Sequence, residues 1–144
     1  MKKYFCENIA KLMPKIIREF HFRMRTVITN EQLILSDIVI LEYLREKKVS
    51  NMGEIASVLQ LTMGRATGIV DDMIKRKFIK RERDVDDRRI VKVCLLSKGE
   101  EIAKKIQVER EESIDSMFSV LTDEEKKIYC ALLTKIYESI GEKK

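Results

Sequence analysis

The chain has 144 residues, of which 44% are hydrophobic and 37% are charged, with one proline, no tryptophan and a formal net charge of +5. This length allows one domain with a buried core, and the composition is typical of a helix-rich intracellular protein rather than a disordered one. No run approaches the roughly 18 apolar residues that span a bilayer, and charged residues interrupt any signal-peptide core near the N-terminus, so we expect a cytoplasmic protein without a membrane segment.

The first predicted element is a long amphipathic helix over positions 4 to 26. Its apolar residues recur mostly every three or four positions, as on one helix face: Tyr4, Phe5, Ile9, Leu12, Met13, Ile16, Ile17, Phe20 and Met24. Pro14 is expected to kink this helix or to mark where its regular part begins, because proline lacks an amide hydrogen and clashes with the preceding turn. A second helix is predicted over positions 36 to 48, with Ser36 and Asp37 as its N-terminal signals.

Positions 49 to 79 predict a helix-turn-helix. Ser50 is expected to cap a short helix, and Thr62 a second helix over residues 62–76, with about three residues between them. Burying the apolar stripe of the second helix leaves small and polar groups outward: Met63, Gly64, Arg65, Thr67, Gly68, Asp71 and Asp72. Each glycine costs a helix up to about 1 kcal/mol relative to alanine. Close helix packing would explain the glycines, but their place on the polar face favours close approach of DNA.

Two strand patterns follow, FIKRERD and RIVKVCLL, joined by the turn sequence DVDDRR. They predict an antiparallel hairpin, or wing, over residues 79–96. Positions 75 to 92 hold nine of the 29 basic and four of the 24 acidic residues, so the rest of the chain carries twenty of each and is neutral. Such a localised positive field suits a polyanion, although a solvated face that only keeps the protein soluble gives the same pattern.

The remaining chain predicts two helices that each begin with a capping box. SKGE at 97–100 begins a helix that runs to about position 119, and TDEE at 122–125 begins the last helix. Both helices carry apolar stripes. The predicted fold is therefore mainly α with a small β-hairpin wing (α+β): a winged helix-turn-helix flanked by N- and C-terminal helices.

The residues from about Leu35 to Gly99 resemble the MarR family of winged-helix transcription regulators. MGEIASVLQLTMGRATGIVDDMIKRKFIKR looks like the helix-turn-helix of that family, and DVDDRR fits its wing signature of an aspartate, two variable positions, an aspartate and two arginines. The resemblance implies a DNA-binding lobe over 35–99 between dimerisation segments over 1–34 and 100–144. The chain departs from the family pattern at Lys77, where glycine is usual and a left-handed helix end must be tolerated, and at Gly68, where a long polar residue is common.

The implied function is a regulator, a repressor released by a small ligand, that binds a palindromic operator in double-stranded DNA. The recognition helix would enter the major groove with Arg65 reading guanine and with methyl groups meeting thymine. The residues expected at bases are Thr62, Met63, Gly64, Arg65, Thr67 and Gly68, of which Thr62 could instead be only a cap. The wing residues are Arg83, Asp87, Arg88 and Arg89, with Arg88 or Arg89 at the minor groove.

Three further basic residues, Lys75, Arg76 and Lys80, are candidates for phosphate contacts that position the protein without specifying sequence. For any one of these lysines, a solvated surface residue is an equally good interpretation. The resemblance also implies that Asp87 orients an arginine by a charge-assisted hydrogen bond and that Asp71 ties the wing to the recognition helix.

One short recognition helix reads only a few base pairs, so useful affinity requires two copies about one turn of DNA apart. The resemblance assigns the apolar first and last helices to a homodimer; a purely intramolecular bundle is the alternative. It also implies a small aromatic or anionic effector, for which Met13, Ile17, Phe20 and His21 are candidate lining residues unless they are ordinary core. Cys6 is a candidate redox sensor, although an isolated cysteine on an apolar helix is usually a packing residue.

Other classes of protein have little support. The sequence shows no Ser/His/Asp set and no phosphate loop, and its three scattered cysteines and one histidine lack metal-ligand spacing. We therefore expect no enzyme activity, no metal and no cofactor. The alternative function is a winged-helix protein-interaction module without DNA binding, which would lack the salt dependence that counterion release produces.

Overall fold

A computed structural model describes residues 1–141, apart from the side chain of Thr26. In chain order its elements are α1 (Lys2–Arg23), α2 (Arg25–Asn30), α3 (Leu35–Lys47), β1 (Val49–Asn51), α4 (Met52–Leu59), α5 (Met63–Lys75), β2 (Ile79–Arg83), β3 (Val91–Leu95), α6 (Ser97–Met117) and α7 (Asp123–Gly141). The strands form one antiparallel sheet in the order β1-β3-β2. Helix-turn-helix α4–α5 followed by hairpin β2–β3 confirms the predicted winged-helix fold class.

The larger of two compact units spans His21–Arg110 and contains α2 to α5, the sheet and the first two thirds of α6. It has a hydrophobic core of its own, formed by side chains that are at most 2% exposed: Ile40, Leu41, Leu44, Ile55, Val70, Met73, Phe78, Ile79, Val93, Ile102 and Ile106. Burying one such side chain stabilises a fold by about 1.5–3 kcal/mol. The helix-turn-helix and the wing are therefore held on a packed base.

The smaller unit consists of residues 1–20 and the chain from Glu111 onward. Neither α1 nor α7 has a buried residue in the described chain, and both leave large apolar side chains exposed, among them Phe5, Leu12, Ile16, Leu132 and Ile136. Within this unit the end of α6 and the start of α7 enclose an apolar cleft of about 490 Å³, lined by residues that include Ile114, Phe118, Tyr129, Cys130 and Leu133. Among the described helices, none combines the length and hydropathy that crossing a bilayer requires.

The start of α4 differs from the sequence prediction. Ser50 is not its cap: it lies in β1, a strand that the sequence patterns did not predict, and Asn51 caps the helix. Asn51 Oδ1 accepts the Glu54 N–H at 2.9 Å, while Glu54 Oε2 accepts the Asn51 N–H at 2.9 Å and the Ser50 hydroxyl at 2.7 Å. The hydrogen bond from the Asn51 backbone N–H, followed by the one from the Ser50 hydroxyl, lowers the pKa of the Glu54 carboxyl. These hydrogen bonds join the sheet edge directly to the helix-turn-helix.

Other helix ends also differ from prediction. The predicted single helix over 4 to 26 is two helices, because the helical structure is interrupted at Met24, whose side chain is buried. Pro14 lies within α1 and does not mark its start. Helix α3 has Ile34 as its N-cap residue, and Ser36 and Asp37 lie in its first turn. Ser97 is the first residue of α6 rather than the residue before it.

Two predicted helix boundaries are confirmed. Thr122 and Glu125 form the capping box of α7: Glu125 Oε2 accepts the Thr122 N–H at 2.8 Å, and Thr122 Oγ1 accepts the Glu125 N–H at 3.3 Å. Lys77 takes the left-handed conformation at the end of α5, with φ of 62°. The Lys77 and Phe78 amides donate to the Ile74 and Met73 carbonyls, which is the Schellman pattern that turns the chain from the recognition helix into the wing.

Candidate nucleic-acid interface

The face of α5 that points away from the core carries the residues predicted to meet bases. Ala66, Val70 and Met73 are buried on the opposite side. Five of the six residues predicted to face bases are exposed: Thr62, Met63, Gly64, Arg65 and Gly68. The sixth, Thr67, is half-buried and donates its hydroxyl to the Met63 carbonyl at 2.8 Å. Thr62 stands at the N-cap position in extended conformation, but its side chain makes no capping hydrogen bond within the described chain. The cap interpretation of Thr62 is therefore not supported by its contacts.

The two glycines of α5 are not needed for packing within the described residues. A Cβ atom built on Gly64 or Gly68 meets no heavy atom within 4 Å. Alanine at either position would therefore fit this chain without a clash and would favour the helix. Space that the chain itself leaves open on this face is available to an external partner.

The wing turn is organised by Asp84. Its Oδ1 atom accepts the Asp86 N–H at 2.8 Å and the Asp87 N–H at 3.1 Å, and its Oδ2 atom forms an ion pair with Lys92. The bond from Lys92 and then those two amides lower the pKa of Asp84 to about 2, and the same pair raises the pKa of Lys92. Asp84 thus fixes the hairpin turn in its ionised form, as the turn chemistry of DVDDRR predicts.

The arginines at the wing tip form no ion pair within the part of the chain that the structure describes. Asp87 was expected to orient a guanidinium; its Oδ1 accepts the backbone N–H of Arg89 at 3.0 Å, and orientation of a guanidinium stays a prediction. Within residues 1–141 no ion pair involves Arg83, Arg88 or Arg89, and all three are exposed. Over this part of the chain the wing therefore presents three unpaired guanidinium groups.

An ion pair joins the wing to the recognition helix. Arg81 Nη1 of β2 lies 2.5 Å from Asp71 Oδ1 of α5, with side chains 30% and 47% exposed, and Arg81 Nη2 lies 3.8 Å from the Met52 sulfur. This contact confirms the tie expected for Asp71. Arg81 was not among the predicted site residues. Arg81 stands two residues after buried Ile79 in β2, and this spacing is the signal that places its side chain on the same face of the strand as Ile79.

The three candidate phosphate contacts differ in availability. Lys75 is exposed, whereas Lys80 pairs with Glu82, whose hydrogen bond raises the pKa of Lys80. Arg76 is half-buried, and its guanidinium donates to Asp37 Oδ2 at 2.8 Å and to the Glu31 carbonyl at 2.8 Å. These donors already have partners inside the protein, so the placement of Arg76 does not fit the predicted phosphate contact.

The residues predicted for regulation lie on or near α1. Met13 and Ile17 are about half exposed, Phe20 is half-buried, and His21 and Cys6 are exposed. None of the five lines the cleft of the smaller unit. Among the described residues no group of three or more His, Cys, Asp or Glu side chains is arranged to hold a metal ion.

Comparison with known proteins gives consistent matches. A model of the MarR family matches residues 33–91. The chain is 29% identical over 136 residues to the uncharacterized HTH-type transcriptional regulator YsmB of Bacillus subtilis, covering 94% of this chain and 93% of that protein. It is 30% identical over 115 residues to the uncharacterized HTH-type transcriptional regulator YhbI of the same organism, covering 74% and 75%.

Solved structures share the whole fold. A MarR family protein from Bacillus stearothermophilus superposes with a TM-score of 0.86 at 25% identity, covering 98% of this chain and 99% of the other. A cysteine-to-serine mutant of MarR from E. coli, complexed with operator DNA, superposes with a TM-score of 0.70 at 18% identity, covering 90% and 93%.

Proposed function

The chain belongs to the MarR family of transcription regulators, and from this premise we propose that it binds specific sequences in double-stranded DNA. Helix α5 enters the major groove, and the tip of the β2–β3 wing lies at the adjacent minor groove. The observation that carries this proposal is the Arg81–Asp71 ion pair, which fixes helix and wing as one surface. Both parts of that surface present arginines that have no acidic partner among the described residues, Arg65 on the helix and Arg88 and Arg89 on the wing.

Base reading follows from the outward face of α5. Arg65 has no acidic partner within the described chain, so its five guanidinium donors are available to the O6 and N7 acceptors of guanine. Met63, which is 53% exposed, can place its methyl group against thymine. Gly64 and Gly68 allow the helix backbone to approach the groove closely. The related E. coli protein, which shares this fold, is complexed with operator DNA.

The protein acts as a homodimer in this proposal. Helices α1 and α7 leave many large apolar side chains exposed, and a contiguous exposed apolar surface usually marks an interaction site. Covering them with a second copy presents two α5 helices to one palindromic site. The dimerisation segments are residues 1–34 and 100–144, although Ile102 and Ile106 of α6 already serve the core of the larger unit.

Regulation is part of the proposal. We expect a repressor that a small aromatic or anionic ligand releases from DNA, with Met13, Ile17, Phe20 and His21 lining the ligand site in the dimer. The exposure of Met13 and Ile17 in the single chain leaves their side chains available to such a site. Cys6 is exposed on the same helix and is the candidate oxidant sensor.

The test is DNA binding measured by fluorescence anisotropy on a random-sequence duplex over a range of salt concentrations. The logarithm of the association constant should fall linearly with the logarithm of the salt concentration, with a slope of roughly −0.9 per phosphate contact. The double substitution Arg88→Ala/Arg89→Ala should weaken binding, and it should make the slope shallower if these arginines also displace counterions. Lys104→Ala/Lys105→Ala removes the same charge from exposed positions of α6 and should leave binding nearly unchanged.

Two results would contradict the proposal. Absence of salt-dependent binding by the wild-type protein would favour a protein-interaction module. Equal binding by the wing variant and the α6 control would show that the wing tip does not touch DNA.

A further inference from the structure

We propose that Arg76 is a positioning residue for DNA recognition: it locks the C-terminal end of α5 to the segment that follows α2, and sequence discrimination depends on that lock. The role rests on the DNA binding proposed above. Arg76 would not touch DNA. It would determine the angle at which the recognition helix presents Arg65 to the bases.

The contacts of the Arg76 guanidinium reach three separate elements. Nη1 donates to Asp37 Oδ2 of α3 at 2.8 Å and to Asp72 Oδ2 of α5 at 3.3 Å. Nη2 donates to the carbonyls of Glu31 and Gln32, just after α2, at 2.8 Å and 3.1 Å. A planar guanidinium can satisfy a carboxylate and two carbonyls at the same time, which a lysine ammonium at the end of a flexible chain cannot reproduce.

The guanidinium is also held from its flat side. Its central carbon lies 4.5 Å from the centre of the Phe78 ring, and Phe78 is 1% exposed. Lys98 lies 4.6 Å from the same ring centre and donates to the Arg76 carbonyl at 3.4 Å. Because stacking on the ring already restricts the guanidinium, each hydrogen bond that it forms costs little additional side-chain conformational entropy.

The partners of Arg76 are themselves anchored. Asp37 is 1% exposed, and the same oxygen that binds Arg76 accepts the Ile34 N–H at 3.1 Å at the start of α3. Burial alone would lower the pKa of Arg76, but its pairs with Asp37 and Asp72 raise that pKa, so the guanidinium stays protonated. The Val27 N–H of α2 donates to Glu109 of α6 at 3.2 Å. Arg76 therefore links the recognition helix to fixed points rather than to a loose loop.

The geometry shows why discrimination would depend on this link. Arg65 lies eleven residues before Arg76, which is about 16 Å at the helical rise, so a tilt of about 4° at the C-terminal end moves Arg65 by about 1 Å. Hydrogen bonds to base edges do not survive such a displacement, whereas phosphate contacts through mobile side chains do. The Arg81–Asp71 pair fixes a point nearer the middle of α5, and Arg76 supplies the second point that sets its direction.

The test compares Arg76→Lys and Arg76→Ala with Lys47→Ala, an exposed basic residue at the end of α3 that makes a charge-matched control for Arg76→Ala. Affinities are measured for a duplex selected by the wild-type protein and for a random duplex, each over a range of salt concentrations. For both Arg76 variants we expect the ratio of specific to random affinity to fall about tenfold or more, with an unchanged salt slope. The control should keep the wild-type ratio.

The outcomes separate the possible roles of Arg76. A wild-type ratio in the Arg76 variants overturns the proposal. An equal loss on both duplexes with a shallower salt slope also overturns it, because that is the signature of a phosphate contact. Arg76→Lys keeps a cation beside the buried Asp37 carboxylate, so it carries the test if Arg76→Ala unfolds by circular dichroism. Failure of the wild-type protein to bind either duplex would instead refute the proposed function.

Discussion

Substitution of Gly68 separates the stability of α5 from its contact with DNA. Glycine in a helix interior is about 0.8–1 kcal/mol less favourable than alanine, and a Cβ at Gly68 meets no heavy atom within 4 Å. Gly68→Ala should therefore raise the free energy of unfolding by about 0.5–1 kcal/mol. Urea unfolding followed by circular dichroism, at a fixed protomer concentration, measures this change as a higher midpoint with an unchanged m-value.

A larger side chain at the same position probes the interface. Leucine has nearly the helix propensity of alanine, so Gly68→Leu should keep the protein at least as stable as the wild type. Its side chain would stand between the helix backbone and the base edges, and we expect DNA affinity to fall tenfold or more, which is about 1.4 kcal/mol. Lower stability of Gly68→Ala would show that the glycine is required by packing. Wild-type DNA affinity of Gly68→Leu would show that this face does not meet DNA.

Three further predictions concern the wing and the elements next to it. Gly99→Ala should lower the free energy of unfolding by about 1–3 kcal/mol in urea titrations, because its Cβ would clash with the Phe78 carbonyl oxygen. Wild-type stability of this variant would contradict the packing. The Asp84 carboxylate should titrate near pH 2 when followed by NMR, because its contacts lower its pKa from 3.8. Its stabilisation of the turn is therefore complete above about pH 4 and is lost as the pH falls through 2. A titration midpoint at or above 3.8 would refute the contacts with Lys92 and the two amides. Asp71→Ala should weaken DNA binding while changing the free energy of unfolding by less than about 1 kcal/mol, because its ion pair with Arg81 is partly exposed. As a control, Asp86→Ala removes the same charge from an exposed side chain and should not weaken DNA binding. Equal effects of the two substitutions on DNA binding would contradict the role of the Asp71–Arg81 pair.

Features that local patterns determine could be predicted from the sequence. The apolar stripe of α5 and the turn chemistry around Asp84 depend on residues close together in the chain. The left-handed conformation of Lys77 was implied by the family resemblance, because members of the family usually have glycine at this position. These elements were sufficient to indicate a winged helix-turn-helix.

Features that distant contacts determine could not be predicted. Strand β1 has three residues, too few to show alternation, and exists because it pairs with the distant strand β3. The interruption at Met24 does not disturb the helical periodicity of the apolar residues, so the sequence gives no local signal for it, and the Met24 side chain is buried. Arg76 lies in a basic run at the end of α5 and looks like a phosphate contact until the Glu31 and Gln32 carbonyls are seen beside it.

Selection of bound duplexes from a random DNA pool tests most directly whether two copies of α5 and the wing read one operator. The expected product is a palindromic sequence whose half-sites are about 10 base pairs apart from centre to centre. Enrichment of a single unpaired half-site, or of no sequence at all, would contradict a dimeric, sequence-specific regulator.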